Sequence, residues 1–145
     1  MLPVDYPDID FKALMTSHDI GPIQFDPASI ISQIQASKRP LLLVGQGTRG
    51  EGDRELLKHF SETFQIPVIS TFPALDLFEY DHPLYVGRPG GVSMRSANFA
   101  VQNCDLLISV GSSLNNVITA FNPKNFATDA AKILVDIDPH EIEEH

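Results

Sequence analysis

The chain has 145 residues, 43% hydrophobic and 20% charged, with a net charge of −9 at neutral pH. That length suits one domain, able to bury about 68–70% of its unfolded surface without covalent staples. The acidic balance, with lysines and arginines scattered, argues against a nucleic-acid or membrane-surface partner.

Cys104 is the single cysteine, so neither a disulfide framework nor a cysteine metal site is available. Among the apolar neighbours of AVQNCDLLI it reads as a packing residue rather than a nucleophile. No apolar run approaches the ~20 residues needed to span a bilayer. The opening MLPVDYPDID is acidic and proline-broken, the opposite of a secretory signal, and a cytoplasmic location is expected.

In chain order, residues 1 to about 24 read as a connector, interrupted by Pro3, Pro7 and Pro22 and kept wet by Asp5, Asp8, Asp10 and Asp19. Asp26-Pro27 is a helix start, a capping side chain followed by proline at the first helical position. Ile30, Ile31 and Ile34 form its apolar stripe, and Lys38-Arg39 suit its C-terminal end. Leu41–Val44 is a strand, and Leu56, Leu57, Phe60 and Phe64 recur at helical spacing.

Pro67–Ser70 and Leu84–Val86 read as further strands, followed by a helix over about 93–103 on the stripe Ala97, Ala100, Val101 and Cys104. Ser93 is the expected N-cap of that helix, and Leu106–Val110 and Ile133–Ile137 are the last strands. Continuous apolar strands, rather than alternating ones, imply burial on both faces. The expected fold is a doubly wound α/β domain, with helices on both faces of a mainly parallel sheet of five or six strands.

The turn in LLLVGQGTRGEGDRELL raises a functional question, because Gly45, Gly47 and Gly50 spell G-x-G-x-x-G, the dinucleotide fingerprint. Two details count against NAD. Glu51-Gly52-Asp53 intervenes before the helical period begins, and the second strand runs into Ser70-Thr71-Phe72. The fingerprint wants an acidic residue there, about 20 residues on, to hold the ribose.

A second glycine-rich stretch, VGRPGGVSMRSANFA, places Arg88 and Arg95 where they would meet a phosphate, or simply forms a tight turn. Catalytic constellations are not evident. His18, His59, His82, His140 and His145 are dispersed, and His82 reads as a turn residue. Asp136 and Asp138 at a strand end suit a terminating turn better than a ribose or metal site, and no nucleophile elbow or Walker loop occurs.

Taken in order, RPLLLVGQG, IPVISTFPALDLFEYDHPLYVG, RSANFAVQNCDLLISVGS and KILVDIDPHEI resemble the central domain of the thiamine-diphosphate-dependent acetolactate synthase-like enzymes. The likeness covers about residues 26–143, and LPVDY resembles the end of that family's preceding domain. It implies residues 1–25 as the linker from an N-terminal pyrimidine-binding domain and 26–145 as the central domain. It also implies a whole enzyme that decarboxylates a 2-oxo acid and transfers the acyl unit, as a homodimer or homotetramer.

In that family thiamine diphosphate and Mg2+ are held by the outer domains, through a catalytic glutamate and a G-D-G…N motif. Gly52-Asp53-Arg54 is not that motif, so the chain alone should not turn over substrate. The central domain binds FAD in some members, ADP in others and nothing in the rest. Ser113 and Val117 stand where flavin-binding members place arginines, and neither supplies a bidentate phosphate contact, which counts against FAD. If a nucleotide binds, the resemblance points to Gly45, Gln46, Gly47, Thr71, Phe72, Gly111, Ser112, Asp136 and Ile137. A stand-alone module for ADP, FAD or NAD is the alternative.

Overall fold

The computed structural model describes residues 25–144; the connector expected over 1–24 lies outside the described residues. Five parallel strands, β1 (Pro40–Val44), β2 (Val68–Ser70), β3 (Tyr85–Gly87), β4 (Leu106–Val110) and β5 (Ala131–Val135), form one sheet in the order β3-β2-β1-β4-β5. Four helices accompany them among the described residues: α1 (Pro27–Ala36), α2 (Asp53–Phe64), α3 (Arg95–Asn103) and α4 (Pro139–Glu144).

The continuous apolar runs explain the two-sided burial. Leu41 and Leu43 of β1 face one core with Ile69, Leu107 and the α3 residues Ala97 and Val101. Leu42 and Val44 face the other with Val68, Ile108, Ile34 of α1 and the α2 residues Leu57, Phe60 and Phe64. Full burial of such a side chain contributes about 1.5–3 kcal/mol, so β1, buried in both cores, is the centre of the fold. The expected doubly wound α/β architecture is what the chain adopts, with five strands among the described residues.

Local chemistry sets the ends of the elements. Asp26 Oδ1 accepts the Ala28 amide at 3.0 Å with Pro27 at the first helical position, as expected for α1. That helix stops at Ala36, so Lys38 and Arg39 lie beyond its last turn, and Ile31 is turned to solvent (42% exposed). The Lys38 and Arg39 amides, with the Ser37 hydroxyl, instead donate to the Asp105 carboxylate, which ties the start of β1 to the start of β4.

Several boundaries differ from expectation. The helix placed at 93–103 begins at Arg95, and its cap position is Met94, which makes no side-chain cap bond. Ser93 fails as the cap because its hydroxyl is taken by the Asn98 amide, which also holds both the N–H and the carbonyl of Gly90. The last strand is Ala131–Val135 rather than Ile133–Ile137, because Asp136 closes a turn by accepting the Asp138 amide. The third is Tyr85–Gly87 rather than Leu84–Val86, with His82 closing the turn before it.

Candidate functional site

The chain winds outward from β1 to β3 on one side and from β4 to β5 on the other, so the order reverses between β1 and β4. In open α/β sheets ligands sit at such a switch point, beyond the carboxyl ends of the strands. Here three strand-end loops are stitched together. Gly45 donates to the Val110 carbonyl at 2.8 Å, Gly47 to the Gly111 carbonyl at 3.0 Å, and Gly111 to the Val135 carbonyl at 2.8 Å. The Thr48 hydroxyl closes the first loop on the Gly45 carbonyl at 2.7 Å.

Beside this seam lies a cleft of about 310 Å3, lined by Gly47, Thr48, Asp53, Leu56, Leu57, Val110, Gly111, Val135, Asp136 and Ile137. Four of the nine residues singled out from the sequence, Gly47, Gly111, Asp136 and Ile137, therefore meet in one place. Gly45 lies behind it, packed against the Gly111-Ser112 backbone, while Gln46 begins the short 3-10 turn over it. Ser112 follows Gly111 but does not line the cleft. Thr71 and Phe72 stand at the end of β2 and stay outside it.

Thr48, Asp53, Leu56, Leu57, Val110 and Val135 were not singled out. Leu56 carried a signal, as an apolar residue on the helix that follows the glycine turn. Two further hydroxyls, Thr71 Oγ1 and Ser109 Oγ, are buried at or next to strand ends and have no hydrogen-bond partner. Ser109 stood out only as the one polar side chain in LLISV.

The loop geometry decides how the glycine turn works. A Cβ on Gly45 would lie 2.5 Å from Gly111 C and 2.7 Å from Ser112 Cα, and one on Gly47 would lie 2.9 Å from Gly111 Cα. Gly111 itself sits at φ +59 against Gly47. These glycines let loop meet loop, and the Gly45 and Gly47 amides that a phosphate would need are already donated. The third glycine of the pattern meets the Asp53 side chain, whose Oδ2 accepts the Gly50 amide at 3.0 Å. The helix itself starts only at Asp53.

The charges point the same way. Asp53 and Glu55 occupy the first turn of α2, so the positive end of the helix dipole is met by the chain's own carboxylates. Arg49 pairs with both oxygens of Asp76 and donates to the Pro73 carbonyl. Arg54 and Lys58 share Glu79, whose carboxyl the Lys58 ammonium holds down at about 2. Arg88 lies over the Phe72 ring, 4.9 Å from its centroid, and donates to the Val92 carbonyl at 2.9 Å. Arg95 is exposed at the first position of α3.

Among the described residues no lysine or arginine lines the cleft. The Gly45 and Gly47 amides are already donated and the lining charges are Asp53 and Asp136, both of which oppose a nucleotide diphosphate there. Nor do the described residues gather three or more His, Cys, Asp or Glu side chains able to hold a metal ion. No helix among them is long and apolar enough to cross a membrane. Cys104 is 5% exposed, and burial pushes its thiol up to about 11.

The family model described as the thiamine pyrophosphate enzyme central domain matches residues 28–145. The chain belongs to that family. Within it, this central domain is 37% identical over 121 residues to the probable acetolactate synthase large subunit of Methanocaldococcus jannaschii, covering 83% of this chain and 20% of that one. It is 40% identical over 112 residues to the acetolactate synthase large subunit of Corynebacterium glutamicum, covering 77% and 18%. With the acetolactate synthase isozyme 2 large subunit of Escherichia coli it shares 37% over 106 residues, covering 73% and 19%. The central domain described here thus spans about a fifth of the length of the curated relatives it matches.

Proposed function

We propose that this chain is the central, scaffolding domain of a thiamine-diphosphate-dependent enzyme that decarboxylates a 2-oxo acid such as pyruvate and transfers the acyl unit to an acceptor. One observation carries the reading: the family match spans nearly the whole domain, and relatives named as acetolactate synthases are 37–40% identical to it. Residues 1–25 would be the linker from a preceding pyrimidine-binding domain and 26–145 the central domain. Thiamine diphosphate and Mg2+ would be held in domains outside this chain, since the residues present here fit neither. When bound there, the cofactor supplies the electron sink for decarboxylation.

What this chain contributes is geometry. Its sheet fixes the spacing between the domains on either side, and its strand-end seam sets the cleft that Gly47, Gly111, Asp136 and Ile137 line. We place the whole enzyme in the cytoplasm as a homodimer or homotetramer, acting on a small-molecule substrate. FAD and ADP, expected as candidates from the resemblance, are not assigned to the cleft because its charges oppose them.

The test is product analysis on the intact protein of the source gene with pyruvate. Acetolactate should appear only with thiamine diphosphate and a divalent cation, and the 145-residue chain alone should give none. Turnover by the intact protein without thiamine diphosphate would overturn the assignment.

A further inference from the structure

His82 closes the turn into β3 with its ring as well as its backbone. The side chain is 10% exposed, and the Phe78 ring stands edge-on to it with centroids 5.3 Å apart. Its Nδ1 accepts the Leu84 amide at 3.3 Å, across Pro83, which has no amide to give. A ring nitrogen that accepts carries no proton, so the neutral ring bears its proton on Nε2. From there it donates to Glu62 of α2 at 3.2 Å. Each ring nitrogen is thus committed to one role.

What the ring holds is the start of an outer strand. Among the described residues β3 ends the sheet on its side, and it meets β2 in register only at Val68–Tyr85 and Ile69–Gly87, with a shift between them. The Leu84 carbonyl accepts the Val68 amide at 2.8 Å, and the Tyr85 amide turns back to the His82 carbonyl at 2.9 Å. The two backbone groups of Leu84 are therefore divided between the ring and the sheet.

The two ring contacts answer a proton differently. Histidine is the side chain that ordinarily changes charge between about pH 5 and 8. A second proton must enter at Nδ1, which turns that acceptor into a donor facing the Leu84 N–H. The Glu62 contact survives and becomes an ion pair, so the ring stays tethered to α2 as it loses the strand. Leu84 is half-buried, which lets water take over its amide. The other titratable groups on the surrounding elements are engaged or open to solvent. Arg54 and Lys58 hold Glu79, Arg49 holds Asp76, the Tyr85 hydroxyl is bonded to Ser70 Oγ, and Glu55, His59 and Asp81 are exposed.

We propose that His82 is a proton-operated pin for the edge of the sheet: neutral, it fixes the start of β3, and protonated, it releases the Leu84 amide while staying with Glu62. The core beneath is untouched in both states. The inference does not rest on the thiamine-diphosphate assignment, which stands or falls on product analysis of the intact enzyme.

The experiment is an NMR titration of the 145-residue chain from pH 8 to pH 5, following the His82 ring nitrogens and the backbone amides. At pH 8 the ring should be the Nε2–H tautomer. On acidification the Leu84 and Tyr85 amides should shift with the midpoint of the ring, while those of the core residues Leu42 and Leu107 hold still. His82→Asn keeps a side-chain acceptor for the amide two residues on but takes up no proton, so it should abolish the Leu84 response. Glu62→Gln should move that response to lower pH, because the charged ring loses its carboxylate.

An Nδ1–H tautomer at pH 8 would overturn the proposal, as would a Leu84 amide that ignores the titration of the ring or one that still responds in His82→Asn. Core amides moving in step with Leu84 would overturn it too, since the change would then be general unfolding. A midpoint that Glu62→Gln leaves in place would remove the tether, and the pin with it.

Discussion

Replacing Gly45 by alanine tests whether the glycine turn exists to let loop meet loop. The new Cβ would lie 2.5 Å from Gly111 C and 2.7 Å from Ser112 Cα, backbone that no rotamer change can move aside. Restoring ordinary contact requires the two loops to part by roughly 1 Å. The Gly45 to Val110 and Gly47 to Gly111 hydrogen bonds, at 2.8 and 3.0 Å, would not survive that opening. Two such bonds at about 1 kcal/mol each, with overpacking of about 1–3 kcal/mol, give a loss of about 3–5 kcal/mol.

Two other glycines supply the comparison. A Cβ on Gly91 meets nothing within 4 Å and its φ is not positive, so Gly91→Ala should stay within about 0.5 kcal/mol. Gly52 also has open space but sits at φ +84, so Gly52→Ala should cost about 1–2 kcal/mol from backbone conformation alone. Urea unfolding with unchanged slope would rank the three. If Gly45→Ala proved no worse than Gly52→Ala, the loop-against-loop account would be wrong.

Other expectations follow from single contacts. The Ser37 hydroxyl, then the Lys38 and Arg39 amides, hold the Asp105 carboxyl down at about 2. An aspartate in the unfolded chain titrates near ~3.9, so this stabilisation is complete above about pH 4 and fades as the pH falls towards 2. Asp105→Asn should cost about 1–2 kcal/mol at neutral pH, kept low by partial exposure, and should flatten the acid limb of a stability–pH curve. Cys104, buried and with its thiol raised to about 11, should resist a disulfide reagent at pH 8 in native protein and react fully in denaturant. Leu107→Ala, at a position with 0% exposure, should lower stability by about 2–5 kcal/mol in the same urea assay.

The fold was legible because its strands are bounded apolar runs whose burial on both faces leaves few alternatives. Leu41–Val44, Pro67–Ser70 and Leu106–Val110 each mark a strand to within a residue, and their lack of alternation implies helices on both faces. The ends were less legible, because side chains that compete for the backbone set them. Ser93 has the right chemistry for a cap, but Asn98, five residues on, claims its hydroxyl for the Gly90 turn. Ile137 looks like the last residue of a strand, but Asp136 folds back on the Asp138 amide and ends β5 at Val135.

The site was half legible for a related reason. Gly47, Gly111, Asp136 and Ile137, named from the family resemblance, line one cleft because strand ends converge in this topology, whatever the ligand. Asp53 and Leu56 line the same cleft unannounced because their place there depends on the direction in which α2 leaves the loop, which the glycine spacing does not encode.

The G-x-G-x-x-G pattern shows why motif spacing alone misleads. In a dinucleotide site the first glycine makes the turn, the second lets the backbone approach the pyrophosphate, and the third lets helix and strand pack closely. Here the first and second both abut Gly111, and the third meets the Asp53 carboxylate. A pyrophosphate would have to displace a neighbouring strand end and then sit beside a negative charge. The spacing is kept because packing three strand ends at a switch point also requires residues without a Cβ. What separates the two uses is the partner of each missing side chain: open space and free amides for a phosphate, or backbone and spent amides for a seam. By that measure the turn at residues 45–50 holds the sheet's carboxyl edge together.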